Sequence, residues 1–248
     1  MVIPVLFHAL ISAVGISGAA HAEKDNCGFA EKWLDSVTVS RDLLKRGFHR
    51  ELKTTVQYGH PSPDGLRALL VQNLPRGVYM DPYQLASLHQ DTGLQVLLDA
   101  EVDLEAPAYV SHGFSSFVYP TRDPGSPRRL QAAVPIHGRY HRPSGSGQGW
   151  ERVEIEPPRL LLRREGCQQL LPTPPHVLVD APCTFHNLSI CRWLEIQLPQ
   201  GEMGVSLELP VGDQSLVVPV CAGTLLVTLL CCALIAVTVW RHGFLQAY

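Results

Sequence analysis

The chain lacks several features that would place it in a common functional class. Its 248 residues include 20 basic and 23 acidic side chains, which are mixed along the sequence and leave a net charge of −3. That balance provides no basic surface for a nucleic acid, so no nucleic-acid partner is predicted. There is no glycine-rich phosphate-binding loop and no C-x2-C spacing of a zinc site, so we predict neither a cofactor nor a bound metal. Proline and glycine number 20 each without a period, which predicts a turn-rich fold and not a collagen-like one.

Charge is absent altogether from a run of 25 residues near the C-terminus, Leu216–Trp240. An α-helix rises about 1.5 Å per residue, so this run reaches about 37 Å and can cross a hydrocarbon core of about 30 Å. We therefore predict a transmembrane helix over residues 216–240, with the lipid bilayer as its surroundings. Residues 241–248 form a tail that is too short to fold by itself.

The other end of the chain has the pattern of a secretory signal. Residues 1–22 are mostly apolar and finish with Ala20-His21-Ala22, the A-x-A pattern of a cleavage site. We predict a signal peptide over residues 1–22 that is cleaved after Ala22, with an uncleaved signal anchor as the alternative. A cleaved signal and one late span give a single-pass type I membrane protein. Residues 23–215 would then form a domain outside the cytosol, and residues 241–248 a cytosolic tail.

Four of the seven cysteines fall in the translocated domain, where disulfides can form. These four are Cys27, Cys167, Cys183 and Cys191. Any four cysteines allow three pairings, and the sequence does not decide among them. We favour Cys27–Cys167 with Cys183–Cys191, because the second closes a short local loop. That loop contains the sequon Asn187-Leu188-Ser189, so Asn187 is the predicted site of N-glycosylation.

Most of the translocated domain shows the period-two alternation of β-strands, interrupted by turn residues. We predict strands over residues 52–58, 66–74, 94–104, 115–121, 130–139, 150–156, 159–164, 193–198 and 204–209. A helix N-cap at Asp81, followed by Pro82, predicts one short helix that runs to about residue 89 and stops by Gly93. Residues 23–40 should be irregular apart from a helical turn within 29–34. The predicted fold is therefore mainly β, a sandwich or barrel-like domain followed by one transmembrane helix.

An acidic row and a pair of histidines are the candidates for chemistry. The acidic row consists of Asp99, Glu101, Asp103 and Glu105. On one face of the predicted strand 94–104 it has the spacing that metal-dependent sugar transferases use to hold a nucleotide diphosphate. The opposite face is apolar, so an amphipathic strand with a solvated acidic side is the favoured interpretation. His137 and His141 likewise share a strand face with Arg139 but lack further metal ligands. With no convincing catalytic set, we predict that the protein is not an enzyme.

Several segments, taken together, resemble one known family. The segments are Gly47–Leu52 (GFHREL), Leu74–Leu88 (LPRGVYMDPYQLASL), Leu104–Tyr109 (LEAPAY), Val134–Pro143 (VPIHGRYHRP), Ala181–Cys183 (APC), and Cys191 with Trp193. With the late span, they resemble the phosphatidylinositol-glycan biosynthesis class X family in the same order over most of residues 41–248. The most specific positions are Asp81, Pro82, Tyr83, Arg139, Tyr140, His141, Arg142 and Pro143.

The resemblance implies a function that composition does not indicate. Members of this family are non-catalytic subunits that stabilise the endoplasmic-reticulum mannosyltransferase adding the first mannose to the glycosylphosphatidylinositol precursor. The implied partner is a multispanning catalytic subunit, and the implied location is the endoplasmic-reticulum membrane with the bulk of the chain in the lumen. The alternative is a single-pass cell-surface receptor or adhesion protein with a β-sandwich ectodomain, which would share the signal, the span and the glycan.

Overall fold

The structure is a computed structural model that describes residues 27–167, 170–171, 173–186, 189–198 and 204–243. The predicted signal peptide, Asn187 and residues 244–248 lie outside these ranges. The elements run in the order α1 (Glu31–Leu34), β1 (Thr38–Leu44), β2 (His49–Gln57), β3 (Leu66–Leu74), β4 (Val78–Tyr79), α2 (Pro82–Thr92), β5 (Gln95–Leu98), β6 (Phe114–Tyr119), β7 (Thr121–Asp123), β8 (Ser126–Gly138), β9 (Trp150–Ile155), β10 (Arg159–Arg164), β11 (Val177–Pro182), β12 (Ile190–Ile196), β13 (Val205–Pro210), a 3-10 turn (Gln214–Leu216) and α3 (Val217–Gly243).

The strands form two antiparallel sheets and a separate two-stranded ribbon. The first sheet has the order β1-β2-β8-β4 with β7 on the side of β8, the second has the order β11-β12-β10-β3-β6-β5, and the ribbon pairs β13 with β9. Buried side chains from both sheets and the ribbon, such as Ile136, Leu160 and Leu207, belong to one apolar core. Two sheets that share one core have the arrangement of a β-sandwich. The mainly β fold is thus confirmed.

The second sheet is also covered on its outer face. A smaller apolar cluster there contains Leu69, Leu161 and Trp193, and Trp193 donates a hydrogen bond from Nε1 to the carbonyl oxygen of Ala181 over 3.2 Å. Because β3 is covered on both faces, five consecutive residues in it are buried. The continuous apolar run Ala68–Val71 within β3 reflects this double coverage.

Local signals predicted the helix α2 well. The Asp81 carboxylate accepts hydrogen bonds from the backbone N–H groups of Tyr83 (2.8 Å) and Gln84 (3.3 Å), which satisfies two free donors of the first turn. Gly93 ends the helix with a φ of 73°, a left-handed conformation that glycine adopts without strain. The helix continues to Thr92, one turn beyond the predicted end near residue 89.

Several predicted strands have different limits in the structure. The strand expected over residues 94–104 ends at Leu98, and beyond it the Asp103 carboxylate accepts from the N–H groups of Glu105 and Ala106. Such local side-chain bonds compete with a strand ladder. The strand expected over residues 130–139 begins at Ser126 and ends at Gly138. The strands β1, β4, β7 and β11 were not predicted.

The two disulfides of the favoured pairing are present. Cys27–Cys167 joins the start of the described chain to the turn after β10, with Cα atoms 5.5 Å apart. Cys183–Cys191 closes the connection between β11 and β12, with Cα atoms 5.0 Å apart. Both Cα separations lie in the usual range for disulfides.

The structure has an apolar helix, α3, at the place where the transmembrane helix was predicted. Residues 214–241 form a continuous helical stretch of 28 residues that is long and apolar enough to cross a membrane. Asp213 caps its start by accepting a hydrogen bond from the N–H of Ser215 over 2.8 Å. The last strand of the domain ends at Pro210. The six residues between that strand and α3 reach only about 20 Å when fully extended, so the domain lies close to the helix.

Candidate functional site: a junction of four segments beside the apolar helix

Segments that are far apart in sequence meet at the end of β8. The short strand β4 pairs with it through Val78↔Gly138 and Tyr79↔His137, and the N–H of Gly138 donates to the carbonyl oxygen of Phe48 over 2.7 Å. We call the resulting cluster the motif junction and define it as residues 47–52, 77–84, 103–109 and 137–143. These ranges contain the most specific positions of the family resemblance. The structure brings the four segments together, although Pro82 and Tyr83 face a separate cavity.

Arg139 lies at the centre of the motif junction. Its side chain is buried, with 4% of the residue exposed, and its guanidinium carbon lies 4.6 Å from the centre of the Tyr79 ring. One terminal nitrogen donates to the carbonyl oxygens of Asp103 (2.7 Å) and Ala106 (2.6 Å). Burial lowers the pKa of Arg139, while Tyr79 and Asp103 act in the opposite direction. Arg139 therefore ties the 103–106 turn to β4, which is a structural role.

His137 is held in one arrangement by two hydrogen bonds. Its Nε2 lies 2.8 Å from the side-chain oxygen of Gln84, and its Nδ1 lies 2.7 Å from Nδ1 of His49. Because that amide oxygen only accepts, Nε2 of His137 carries the proton, and Nδ1 then accepts from His49. Burial lowers the pKa of His137, and the neighbouring His49 lowers it further, whereas Asp81 raises it. The ring is therefore neutral at pH 7, and both of its nitrogens are engaged.

His141 does not join the other histidines. Arg139 and His141 follow the end of β8 and do not share a strand face with His137, which corrects the prediction of a common face. The pKa of His141 is lowered by burial; the Glu151 carboxylate raises it and Arg76 lowers it. Throughout the described ranges, no three histidine, cysteine or acidic side chains are grouped so that they could hold a metal.

The acidic row does not form a common face. The Asp99 carboxylate accepts from the N–H of Ser115 on β6, and the Asp103 carboxylate accepts from the N–H groups of Glu105 and Ala106. The residues after Leu98 form loops and bends instead of a strand, so the period-two geometry that would align four carboxylates is lost. The prediction of an amphipathic strand at this place was wrong, and with it the only arrangement that suggested a nucleotide-sugar site.

The remaining residues of the junction lie next to the start of α3. The guanidinium carbon of Arg142 is 4.5 Å from the centre of the Tyr109 ring, and the N–H of Ala108 donates to the carbonyl oxygen of Tyr140 over 2.9 Å. After Pro143, the N–H of Ser144 donates to the carbonyl oxygen of Gly212 over 2.8 Å. The motif junction is thus connected by backbone hydrogen bonds to the segment that leads into the apolar helix.

Tyr83 and Pro82 line a different feature. They form part of an apolar cavity of about 570 Å³ between α2 and the edge strand β5, together with Val96 and Leu98. Tyr83 is largely exposed there.

Sequence reasoning did not predict the Tyr79 ring as the partner of both Arg139 and His137, because the contact depends on a pairing between strands more than 50 residues apart.

Comparison with known proteins gives a consistent set of relatives. A sequence model of the PIG-X / PBN1 family matches residues 45–240. The chain is 34% identical over 232 residues to the Homo sapiens protein named "GPI alpha-1,4-mannosyltransferase I, stabilizing subunit". The aligned region covers 92% of this chain and 89% of the human protein. The Rattus norvegicus protein of the same name is 30% identical over 240 residues, 94% of this chain and 95% of its own. A Gibberella zeae protein named "Protein PBN1" is 34% identical over 132 residues, 50% of this chain and 26% of its own length.

Proposed function

The chain belongs to the PIG-X / PBN1 family, and on that premise we propose that it is a stabilising, non-catalytic subunit of glycosylphosphatidylinositol α-1,4-mannosyltransferase I. The observation that carries this proposal is the 34% identity to the human stabilising subunit over 92% of the chain. Family membership also counts against the alternative of a cell-surface receptor or adhesion protein.

The chemistry of the motif junction supports a role without catalysis. A catalytic acid, base or metal ligand needs an accessible group with a suitable pKa. The central groups here are used internally, because Arg139 is bonded to carbonyl oxygens and His137 is bonded through both ring nitrogens. The junction therefore serves to hold four segments in one shape beside the membrane helix.

The proposed topology has the domain in the endoplasmic-reticulum lumen and α3 in the membrane. The disulfides Cys27–Cys167 and Cys183–Cys191 support this side of the membrane. The predicted cleavage after Ala22 and the predicted glycan on Asn187 would require it. Residues 241–248 then face the cytosol, where Arg241 agrees with the positive-inside tendency. Endoglycosidase H distinguishes the two classes of protein, because a sensitive glycan on Asn187 indicates residence in the endoplasmic reticulum and a resistant one a surface receptor.

The proposed partner is a multispanning catalytic subunit. A protein that binds only the folded partner stabilises it by about 2.7 kcal/mol at a hundredfold excess over Kd, by mass action. Two surfaces can supply the contact, namely the membrane-proximal side of the domain and the helix α3. Small residues in α3 that allow another helix to approach closely are Ala222, Gly223, Ala233 and Ala236.

The test is removal of the chain from cells, with the amount of the mannosyltransferase catalytic subunit as the readout. We expect that amount to fall several-fold, because a change of about 1–2 kcal/mol in stability already alters cellular abundance to that extent. Restoring the chain should restore the amount, and the two proteins should purify together from mild detergent. An unchanged amount of catalytic subunit and unchanged early glycolipid intermediates would contradict the proposal.

A further inference from the structure

We propose that one edge of the domain lies in the lipid headgroup layer and anchors the near end of α3 in the bilayer. We call this surface the aromatic edge and define it as Tyr109, Val110, Tyr140, Arg142 and Trp150. The inference rests on the proposed topology, in which α3 crosses the membrane. Its subject is a lipid-binding surface on the membrane-proximal side of the domain, beside the area that would contact a catalytic subunit.

The members of the aromatic edge are large and exposed. The exposed fractions are 48% for Tyr109, 57% for Val110, 73% for Tyr140 and 58% for Trp150. Apolar side chains of this size are normally buried, and a group of them on one surface marks an interaction site. Arg142 adds a guanidinium group that stacks on the Tyr109 ring. Trp and Tyr are the residues enriched at membrane–water interfaces, and arginine binds phosphate, so the composition fits a lipid headgroup layer.

Backbone contacts place this edge next to the start of α3. Trp150 is the register partner of Pro210, the last residue of the last strand. The connecting segment is then held to the domain by three hydrogen bonds: Val211 N–H to the Gly149 oxygen (3.0 Å), Ser144 N–H to the Gly212 oxygen (2.8 Å), and Gln214 N–H to the Ser144 oxygen (3.0 Å). With the connection bound in this way, the domain cannot move far from the plane in which α3 enters the membrane.

The helix itself lacks an interfacial anchor at this end. Residues 214–229 contain no tryptophan, tyrosine, phenylalanine, lysine or arginine, whereas Trp240 and Arg241 stand together at the far end. A membrane helix is usually held by aromatic and basic residues at both interfaces. The aromatic edge, which belongs to the domain, supplies the aromatic and basic residues that α3 lacks at its near end. This asymmetry favours lipid over a protein partner at the aromatic edge. Without the edge, the near end of α3 would have no anchor at the membrane interface.

The experiment uses the full chain alone in phosphatidylcholine vesicles that contain a small fraction of phosphatidylcholine with a photoreactive diazirine near the ester carbonyl. After irradiation and digestion, labelled residues are mapped by mass spectrometry. We expect peptides with Tyr109, Tyr140 or Trp150 to be labelled at least about threefold more than peptides with Val177 or Ile190. Val177 and Ile190 are matched controls, because they are also exposed apolar residues, at 46% and 62%. Equal labelling of edge and control peptides would overturn the proposal.

Further arms separate this inference from the proposed function. The double variant Tyr140→Ser/Trp150→Ser should lose the edge labelling while α3 peptides stay labelled. Its tryptophan emission, to which the buried Trp33 and Trp193 contribute, reports whether the domain is folded. The inference would be overturned if the edge peptides of the variant stayed labelled. It would also be overturned if the α3 peptides were not labelled. If the edge loses its lipid label when the catalytic subunit is reconstituted together with the chain, it is a protein interface and the inference fails. Failure of co-purification with persistent edge labelling would instead contradict only the proposed function.

Discussion

At the scale of single residues, Arg139 connects several segments of the motif junction through its side chain. Its buried guanidinium group donates hydrogen bonds to two carbonyl oxygens and packs on the face of the Tyr79 ring. The sequence marks this arginine only as part of a segment that resembles a family. Its contacts join β4, the 103–106 turn and the end of β8, and no local pattern encodes such a set because the partners are more than 30 residues away.

Replacing Arg139 with glutamine should therefore destabilise the domain by about 2–3 kcal/mol. The shorter side chain cannot reach the carbonyl oxygens of Asp103 and Ala106, so both lose a charged donor in a partly buried position. The measurement is urea unfolding of the full chain in mild detergent, followed by tryptophan emission. The matched control is Arg122→Gln, an exposed arginine on β7 that should change stability by less than about 0.5 kcal/mol. Equal stability of the two variants would show that Arg139 is not required for the junction.

At the scale of elements, the accuracy of the sequence predictions depended on where the determining contacts lie. The helix α2 and its end at Gly93 are encoded locally by a cap, a proline and a glycine, and both were predicted. The strands β1 and β11 were missed because they are the outer strands of their sheets, where few side chains are buried and the apolar pattern is weak. The region after Leu98 looked like a strand because its residues alternate, yet Asp99 and Asp103 bond to the backbone instead.

The N-cap of α2 gives a prediction at this scale. Asp81→Ala should destabilise the domain by about 1 kcal/mol, because two N–H groups of the first turn lose their acceptor. Amide hydrogen exchange at Tyr83 and Gln84 should become faster, and the contact of Gln84 with His137 should loosen with it. Asp81→Asn keeps an accepting oxygen and should behave like the unchanged chain. Asp91→Ala, an exposed acid at the other end of the same helix, is the control for charge. Faster exchange in that control as well would assign the effect to charge and not to the cap.

At the scale of the whole molecule, the sequence predicted the parts better than their relative placement. The apolar span, the mainly β domain and the short connection between them follow from composition and spacing, and the structure has all three. The convergence of the motif segments follows from long-range register, such as His49↔His137 between β2 and β8. Register at that separation depends on how the two sheets close on their core, which periodicity along the chain does not specify.

The last prediction asks which part of the molecule recognises the catalytic subunit. Replacing residues 217–240 with a leucine-rich helix of the same length keeps the span and the domain but removes the small residues at 222, 223, 233 and 236. We expect the amount of catalytic subunit to recover only partly in cells that lack the natural chain, because close helix packing in lipid depends on small residues and the domain retains its own contact. The amount of the chimera must match that of the natural chain, so that its own stability does not enter the comparison. Full recovery would assign recognition to the domain alone, whereas no recovery would assign it to α3. Either result would contradict the expectation that both surfaces contribute.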